Sequence, residues 1–129
     1  MSRNARHHDA PTRPRLRLLF GHAIAIGPGK AQLLEHIAEG GSISAAARQM
    51  GMSYRRAWLL VDTMNHCFRS PLVETAAGGK GGGGAVVTPL GLQVLEHYRR
   101  MQQLAEAAVA DELAALERLI APAPPLEPH

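Results

Sequence analysis

The chain has 129 residues, a formal net charge of +3 and a single cysteine, Cys67. This length suffices for one compact domain, or for a small domain with an extended arm. One thiol can form neither an internal disulfide nor a structural zinc site, which indicates a reducing, cytoplasmic setting. No apolar run reaches the roughly 18 residues of a membrane helix, so no membrane partner is expected.

The charge is distributed unevenly along the chain. Residues 1–60 contain nine Lys or Arg against three Asp or Glu, whereas residues 61–129 contain five against eight. A basic first half and an acidic second half favour a polyanion-binding region followed by a solvated or self-associating one. A basic tail with ordinary surface charge is the alternative that composition leaves open.

The N-terminal part predicts a tail and a small hairpin. Residues 1–14 lack the apolar centre of a signal peptide and are expected to be disordered. The run "RLRLLF" at 15–20 has strand character, and "AIAI" at 23–26 can pair back with it across a turn at Gly21-His22.

A first helix is predicted after "GPGK". Pro28 suits the first turn of a helix, where its missing N–H would have no partner. Leu33, Leu34 and Ile37 form one apolar stripe at helical spacing, and the glycine pair ending in Gly41 stops the helix.

Two further helices are predicted on either side of a tight turn. Ser42 can cap the second helix and Gly51 ends it, while Ser53 can cap a third helix that runs to about Phe68, before Pro71. The positions expected to face inward are Ile43, Ala46, Ala47, Met50, Ala57, Leu60, Val61 and Met64.

The corner at Gly51 has the pattern of a helix-turn-helix. Ala47 is small where the helices must touch, and Gly51 tolerates the backbone of the turn. The start of the following helix is the part that enters the major groove in such motifs, and Arg can bind guanine there through two hydrogen bonds. A helical hairpin with solvated arginines is the alternative. The candidate DNA-binding residues are Ser53, Tyr54, Arg55, Arg56 and Trp58.

Trp58 admits two interpretations at this stage. Its ring could stack against the sugar-phosphate backbone of DNA, or it could pack against the hairpin that follows.

A glycine-rich hairpin follows the third helix. Residues 72–87 are expected to form strand, tip and strand, with six glycines around Lys80 at the tip. A winged helix-turn-helix has such a hairpin at this place, where glycines allow close approach to the DNA backbone and Lys80 supplies charge. A flexible surface loop without function is the alternative for Lys80.

A long last helix is predicted to begin at Thr88-Pro89, where a capping hydroxyl precedes proline. Nothing interrupts the helical pattern over 89–120, a length of roughly 45 Å, and residues 121–129 are expected to be a disordered tail. A single small domain could bury only the first turns, so a second copy of the chain is the expected partner. A helix that breaks near Asp111-Glu112 and folds back on its own domain is the alternative. The candidate dimer residues are Leu92, Leu95, Leu104, Ala108, Leu113 and Leu116.

Taken together, these segments resemble a known family. "GSISAAARQMGMSYRRAWLLVDTMN", "PLVET", "GGKGGGGAVVTPLG" and "VLEHYRRM" are similar to the N-terminal DNA-binding domain of ModE, the molybdate-responsive bacterial transcription regulator, and more distantly to the winged helix of LysR-type regulators. The resemblance implies a mainly helical fold with a little β structure: a winged helix-turn-helix at 15–88 with an N-terminal hairpin and a dimerisation helix. It also implies a homodimer on double-stranded DNA with a twofold-symmetric operator.

The chain departs from this family in its length. ModE proteins continue into a region that binds molybdate, whereas this sequence ends at His129. We therefore expect DNA binding without that sensor, and molybdenum-related gene control is what the resemblance implies. Direct oxyanion binding at the Lys80 loop and a protein-interaction scaffold remain alternatives, and the effector is unknown.

The sequence offers no pattern typical of an enzyme. The "GGK" at 78–80 lacks the spacing of a nucleotide-binding P-loop, because residue 74 is Glu and residue 81 is Gly. The histidines show no metal-ligand spacing apart from His7-His8 in the tail. The sequence therefore predicts neither a catalytic site nor a metal site nor a cofactor.

Overall fold

The computed structural model describes residues 13–76 and 84–123. In these ranges the chain is mainly helical, with five helices and two small antiparallel sheets of two strands each. The elements are β1 (Leu18–Phe20), β2 (Ala23–Ile26), α1 (Pro28–Gly40), α2 (Ile43–Met50), α3 (Tyr54–Cys67), β3 (Val73–Thr75), β4 (Ala85–Val87), α4 (Pro89–Ala108) and α5 (Ala110–Glu117).

The predicted N-terminal hairpin is present but shorter than the sequence pattern indicates. Strand β1 covers only residues 18–20 and pairs with β2 around Gly21, which has a positive φ of 65°. Its three side chains are exposed, whereas Leu16 just before it packs against the core. The chain before β1 is fixed by Tyr98, whose hydroxyl donates to the carbonyl oxygen of Leu16 at 2.9 Å.

Local capping groups set the ends of the first three helices, as the sequence predicts. Pro28 lies in the first turn of α1, and Gly41 closes this helix with a φ of 73°. Ser42 accepts a hydrogen bond from the Ala45 N–H at 2.9 Å and so starts α2. These contacts satisfy backbone groups that have no partner inside a helix.

One hydrophobic core within residues 15–101 contains residues of α1, α2, α3 and α4 and of both sheets. Its large, fully buried side chains come from β2, α1, α3 and the segment before β3. Helices α2 and α3 pack against each other and bury small residues: Ala46, Ala47 and Ala57 are at most 2% exposed. The larger side chains at the centre are Ile26, Leu33, Leu34, Ile37, Met64 and Leu72.

The stem of the second hairpin is anchored at both strands. The Asn65 amide accepts from the N–H groups of Leu72 and Val73 at 2.8 and 3.1 Å, and it donates to the Val73 carbonyl at 3.0 Å. On the other strand, the Ala85 N–H donates to the Gly41 carbonyl at 2.8 Å. The tip between these strands, including Lys80, lies outside the described residues.

The start of α4 is packed against the segment before β3. The Thr88 hydroxyl caps α4 by accepting from the Gly91 N–H at 3.0 Å, and it donates to the Pro71 carbonyl at 2.8 Å. Further along α4, Arg99 donates twice to Glu35 of α1, at 2.6 and 3.0 Å. Burial raises the pKa of the Tyr98 hydroxyl, while the positive charges of Arg15 and Arg17 act in the opposite direction.

The C-terminal helical region differs from the single helix expected over 89–120. Helix α4 ends at Ala108 and α5 begins at Ala110, because Val109 leaves the helical backbone with φ −103° and ψ 7°. Residues 15–101 form one compact unit of the structure. Residues 102–123, together with residues 13–14, form a second unit. Within the second unit, the Gln102 amide donates to the Pro14 carbonyl and to Glu106.

The six candidate dimer residues occupy different environments. Leu95 is only 3% exposed and belongs to the core of the 15–101 unit. This buried position differs from the dimer contact predicted for Leu95, because this side of α4 faces the domain itself. Leu113 is half-buried, and the exposed members of the set are Leu92, Leu104, Ala108 and Leu116.

None of the described helices is both long enough and apolar enough to cross a lipid bilayer.

Gly91 offers a direct test of how α4 is seated. A Cβ at this position would overlap the Leu72 carbonyl oxygen and lie 2.6 Å from Cγ1 of Val87. Because the first of these is backbone, relief requires α4 to move, and we expect Gly91→Ala to lower the free energy of unfolding by about 1–3 kcal/mol. Urea denaturation followed by circular dichroism measures the change.

Gly29→Ala is the matched control. Gly29 lies in α1 and a Cβ there meets no atom within 4 Å, so stability should stay equal or rise by up to about 1 kcal/mol. Equal stability of Gly91→Ala and the wild-type protein would contradict this account of α4.

Candidate nucleic-acid interface

The turn between α2 and α3 is fixed by the backbone conformation of Gly51. This residue has a φ of 68°, a left-handed conformation that other residues adopt only at a cost. Its N–H donates to the Arg48 carbonyl at 3.2 Å, and the Met52 N–H donates to the Ala47 carbonyl at 3.0 Å. The bend predicted at Gly51 is therefore confirmed, and α3 starts only three residues beyond it.

Ser53 defines the first turn of α3. Its Oγ accepts a hydrogen bond from the Arg56 N–H at 3.1 Å, as expected for a helix cap. The side chain is exposed, and a hydroxyl that accepts in this way still has its own proton to donate. Ser53 thus orients the helix end and keeps one donor available at the surface.

Arg55 and Arg56 project from this first turn into solvent. Both residues are exposed, whereas Ala57 directly after them is fully buried and holds the helix against the core. Neither guanidinium group forms a hydrogen bond or an ion pair with another residue in the described ranges. Ten N–H donors and two positive charges are consequently free at one end of α3.

Tyr54 and Trp58 form an aromatic pair one turn apart on a second side of α3. Both are exposed, Trp58 somewhat less than Tyr54. Asn65 lies seven residues after Trp58, so it shares the same helix side, and it binds the start of β3. The C-terminal part of this side of α3 therefore faces the hairpin, and Trp58 lies on its exposed N-terminal part.

Lys30 is a cation near this surface that the sequence does not reveal. Partial burial lowers the pKa of its ammonium group, Cys67 raises it, and the positive charge of Arg56 lowers it further. Helix α1 packs against α3, and both Cys67 at the end of α3 and Arg56 near its start act on the Lys30 ammonium group. Nothing in the local sequence around Lys30 indicates this, because it depends on how α1 packs against α3.

A shallow depression of about 240 Å³ lies along α3 beside the two arginines. Arginine side chains form part of its wall, and leucine side chains contribute apolar surface. Its lining residues are Ser53, Arg55, Arg56, Leu59, Leu60 and Thr63.

The described His, Cys, Asp and Glu residues do not form a cluster that could hold a metal ion. No group of three or more His, Cys, Asp or Glu residues with suitable placement occurs within residues 13–76 and 84–123. His66 contacts Asp62 one turn earlier on α3, with its Nδ1 2.8 Å from the Asp62 carbonyl oxygen. Cys67 is a half-buried free thiol.

The chain is similar to several bacterial proteins named for molybdenum or for transcriptional regulation. It is 44% identical over 93 residues to the DNA-binding transcriptional dual regulator ModE of Escherichia coli. The matched region covers 72% of this chain and 36% of that protein. The chain is equally similar over 93 residues to the molybdenum-pterin-binding protein MopB of Rhodobacter capsulatus, covering 33% of it. Over 110 residues it is 39% identical to MopA of the same organism, covering 85% of this chain and 40% of MopA.

No family model matches the chain. The matched part of the chain spans about a third of the length of MopB and of ModE from Escherichia coli, and 40% of the length of MopA. Its similarity is thus to one part of ModE-like proteins, and the resemblance read from the sequence motifs agrees with these relatives.

Proposed function

We propose that this chain is a sequence-specific DNA-binding transcription regulator of the ModE type, which acts as a homodimer on a twofold-symmetric operator. The observation that carries the proposal is the exposure of the Arg55 and Arg56 guanidinium groups in the first turn of α3, where neither has a partner among the described residues. Both groups can therefore reach a ligand without breaking a contact to residues 13–76 or 84–123. Similarity to regulators whose names state DNA binding supports the same conclusion.

In this proposal α2 and α3 act as a helix-turn-helix. The N-terminal end of α3 enters the major groove, and Arg55 or Arg56 binds O6 and N7 of a guanine. The Ser53 and Tyr54 hydroxyls bind phosphates at the groove edge, and Trp58 stacks on the sugar-phosphate backbone. The β3–β4 hairpin acts as the wing, with Lys80 reaching the adjacent backbone.

Self-association is supported by apolar side chains that the described part of the chain leaves in solvent. On α4 and α5, Leu104 is 63% exposed and Leu116 is 53% exposed. Large exposed apolar side chains repeated along helices are typical of an association surface. A second copy is the simplest partner, since two helix-turn-helix units related by a twofold axis match a palindromic operator.

The regulated genes in this proposal concern molybdenum. The support is the names of the relatives, which include a molybdenum transport protein ModE of Azotobacter vinelandii, 40% identical over 78 residues. The decisive experiment is selection of bound fragments from the organism's own DNA, followed by sequencing. A palindromic motif near molybdenum genes supports the whole proposal, a motif elsewhere supports only the DNA-binding part, and binding that is absent at low salt favours a protein-interaction scaffold.

Replacing Arg55 and Arg56 tests the proposed recognition helix. We expect Arg55→Ala and Arg56→Ala each to weaken binding to the selected operator by about 1–3 kcal/mol where the residue reads a base. The same substitution should relax sequence preference at one position of the motif. Binding is measured by fluorescence anisotropy at fixed salt, with a repeat of the selection for each variant.

A charge-matched comparison uses two double variants: Arg55→Ala combined with Arg56→Ala, and as the control Arg100→Ala combined with Arg118→Ala. Both control residues are exposed and lie outside α3 in the sequence, one in α4 and one directly after α5, and the net charge changes by the same amount. Equal losses in the two double variants would contradict the assignment, because they would indicate a general charge effect.

Lys30→Gln separates phosphate binding from base reading. We infer that the Lys30 ammonium group binds a phosphate, so its removal should weaken binding equally on operator and random DNA, and the slope of log affinity against log salt should fall by about 1. The measurement is a salt titration on both duplexes. A loss confined to the operator, or an unchanged slope, would contradict this role.

Leu104→Glu tests the proposed dimer. We expect the wild-type protein to sediment at twice its 13.8 kDa chain mass and Leu104→Glu to shift towards the monomer, because a buried unpaired carboxylate is costly. Val86→Glu is the control, since Val86 is similarly exposed at 60% but lies on β4. A variant dimer as stable as the wild type would remove Leu104 from the interface.

A further inference from the structure

Leu59 is an unusual residue for its position on α3. It lies one turn after Arg55 and one turn before Thr63, on the side of the helix that points away from the core. The other outward positions on this side carry the polar residues Asp62 and His66. Leu59 is nevertheless 45% exposed, so a large apolar side chain stands in solvent in the middle of a polar helix surface.

The depression beside the arginines gives this leucine a defined setting. Leu59 and Leu60 both line the cavity of about 240 Å³, with Arg55 and Arg56 at its N-terminal side. Thr63 closes the other side, and its hydroxyl donates to the Leu59 carbonyl oxygen at 3.0 Å. Because that hydroxyl proton is used within the helix, the hydrogen-bond donors offered to a ligand come chiefly from the arginines.

An apolar surface next to free guanidinium groups matches one feature of DNA. In the major groove, thymine is the base that presents an apolar group, its C5-methyl, while guanine presents two acceptors suited to arginine. A base edge that offered only polar atoms would leave its hydrogen bonds unmade over Leu59, which is unfavourable. The lining thus favours a methyl group over a polar atom one turn beyond the arginines.

We propose that Leu59 is a specificity-determining residue that contacts the C5-methyl group of a thymine close to the guanine read by Arg55 or Arg56. This proposal rests on the proposed DNA-binding function and adds a second base to the recognised site. A protein partner seated on Leu59 is the other occupant that the test distinguishes.

Deoxyuridine provides a test that removes only the methyl group. In the duplex recovered by genomic selection, each thymine of one half-site is replaced singly by deoxyuridine, and affinities are measured for wild-type protein and Leu59→Ala. At one position we expect deoxyuridine to weaken binding by the wild-type protein about fourfold, the loss for one buried methyl group. Leu59→Ala should bind the thymine and deoxyuridine duplexes with equal affinity at that position.

Two control variants keep the result interpretable. Leu59→Met retains an apolar side chain of similar volume and should keep the dependence on the methyl group. Leu19→Ala removes a leucine that is 63% exposed on β1 and should behave as the wild-type protein at every thymine. Thermal unfolding checks that each variant is folded, which is expected because both leucines are exposed.

The outcomes separate this inference from the proposed function. If the wild-type protein prefers its operator but tolerates every deoxyuridine, or if Leu59→Ala retains the full methyl dependence, the Leu59 proposal is overturned while DNA recognition stands. If the wild-type protein shows no preference for the selected duplex over random DNA, both proposals are overturned.

Discussion

The packing of α2 against α3 depends on small buried side chains. Ala46, Ala47 and Ala57 are almost completely buried, and a larger residue at these positions would force a neighbouring helix to move. Gly51 provides the sharp change of direction that such a short connection requires. With the inner side of α3 fixed by Ala57, its opposite side has to face solvent.

This constraint explains why the charged end of α3 is free. Ser53 satisfies the backbone at the helix start, so Arg55 and Arg56 are not needed as caps and make no internal ion pair among the described residues. The two neighbouring positive charges at this helix end repel each other, and this repulsion would be relieved by a polyanion. Electrostatics and exposure therefore favour the same kind of ligand.

The second hairpin is coupled to the helices through backbone hydrogen bonds. Asn65 near the end of α3 binds the start of β3, and the Gly41 carbonyl between α1 and α2 binds β4. Thr88 then links the end of the hairpin to α4. The stem thus has a fixed position relative to α3, which a hairpin acting together with a recognition helix would need.

The sequence by itself determined the features that depend on neighbouring residues. The caps at Ser42, Ser53 and Thr88 and the turn at Gly51 could all be predicted, because each involves groups within about four residues of one another. The exposed arginines followed from the same helix register, and the short strands on either side of the glycine-rich tip followed from its flanking apolar runs.

Only the tertiary structure decided the features that depend on packing between distant segments. Leu92 and Leu95 lie three residues apart on α4 and both fit the apolar pattern of the sequence, yet Leu95 is buried in the core while Leu92 is exposed. Lys30 is partly buried because α1 lies beside α3, and the setting of Leu59 arises from the exposed side of that packing. Neither glycine nor proline marks the interruption at Val109, since none occurs from 92 to 121. Periodicity gives the side of a helix on which a residue lies, but only the neighbours in space determine whether that side is covered.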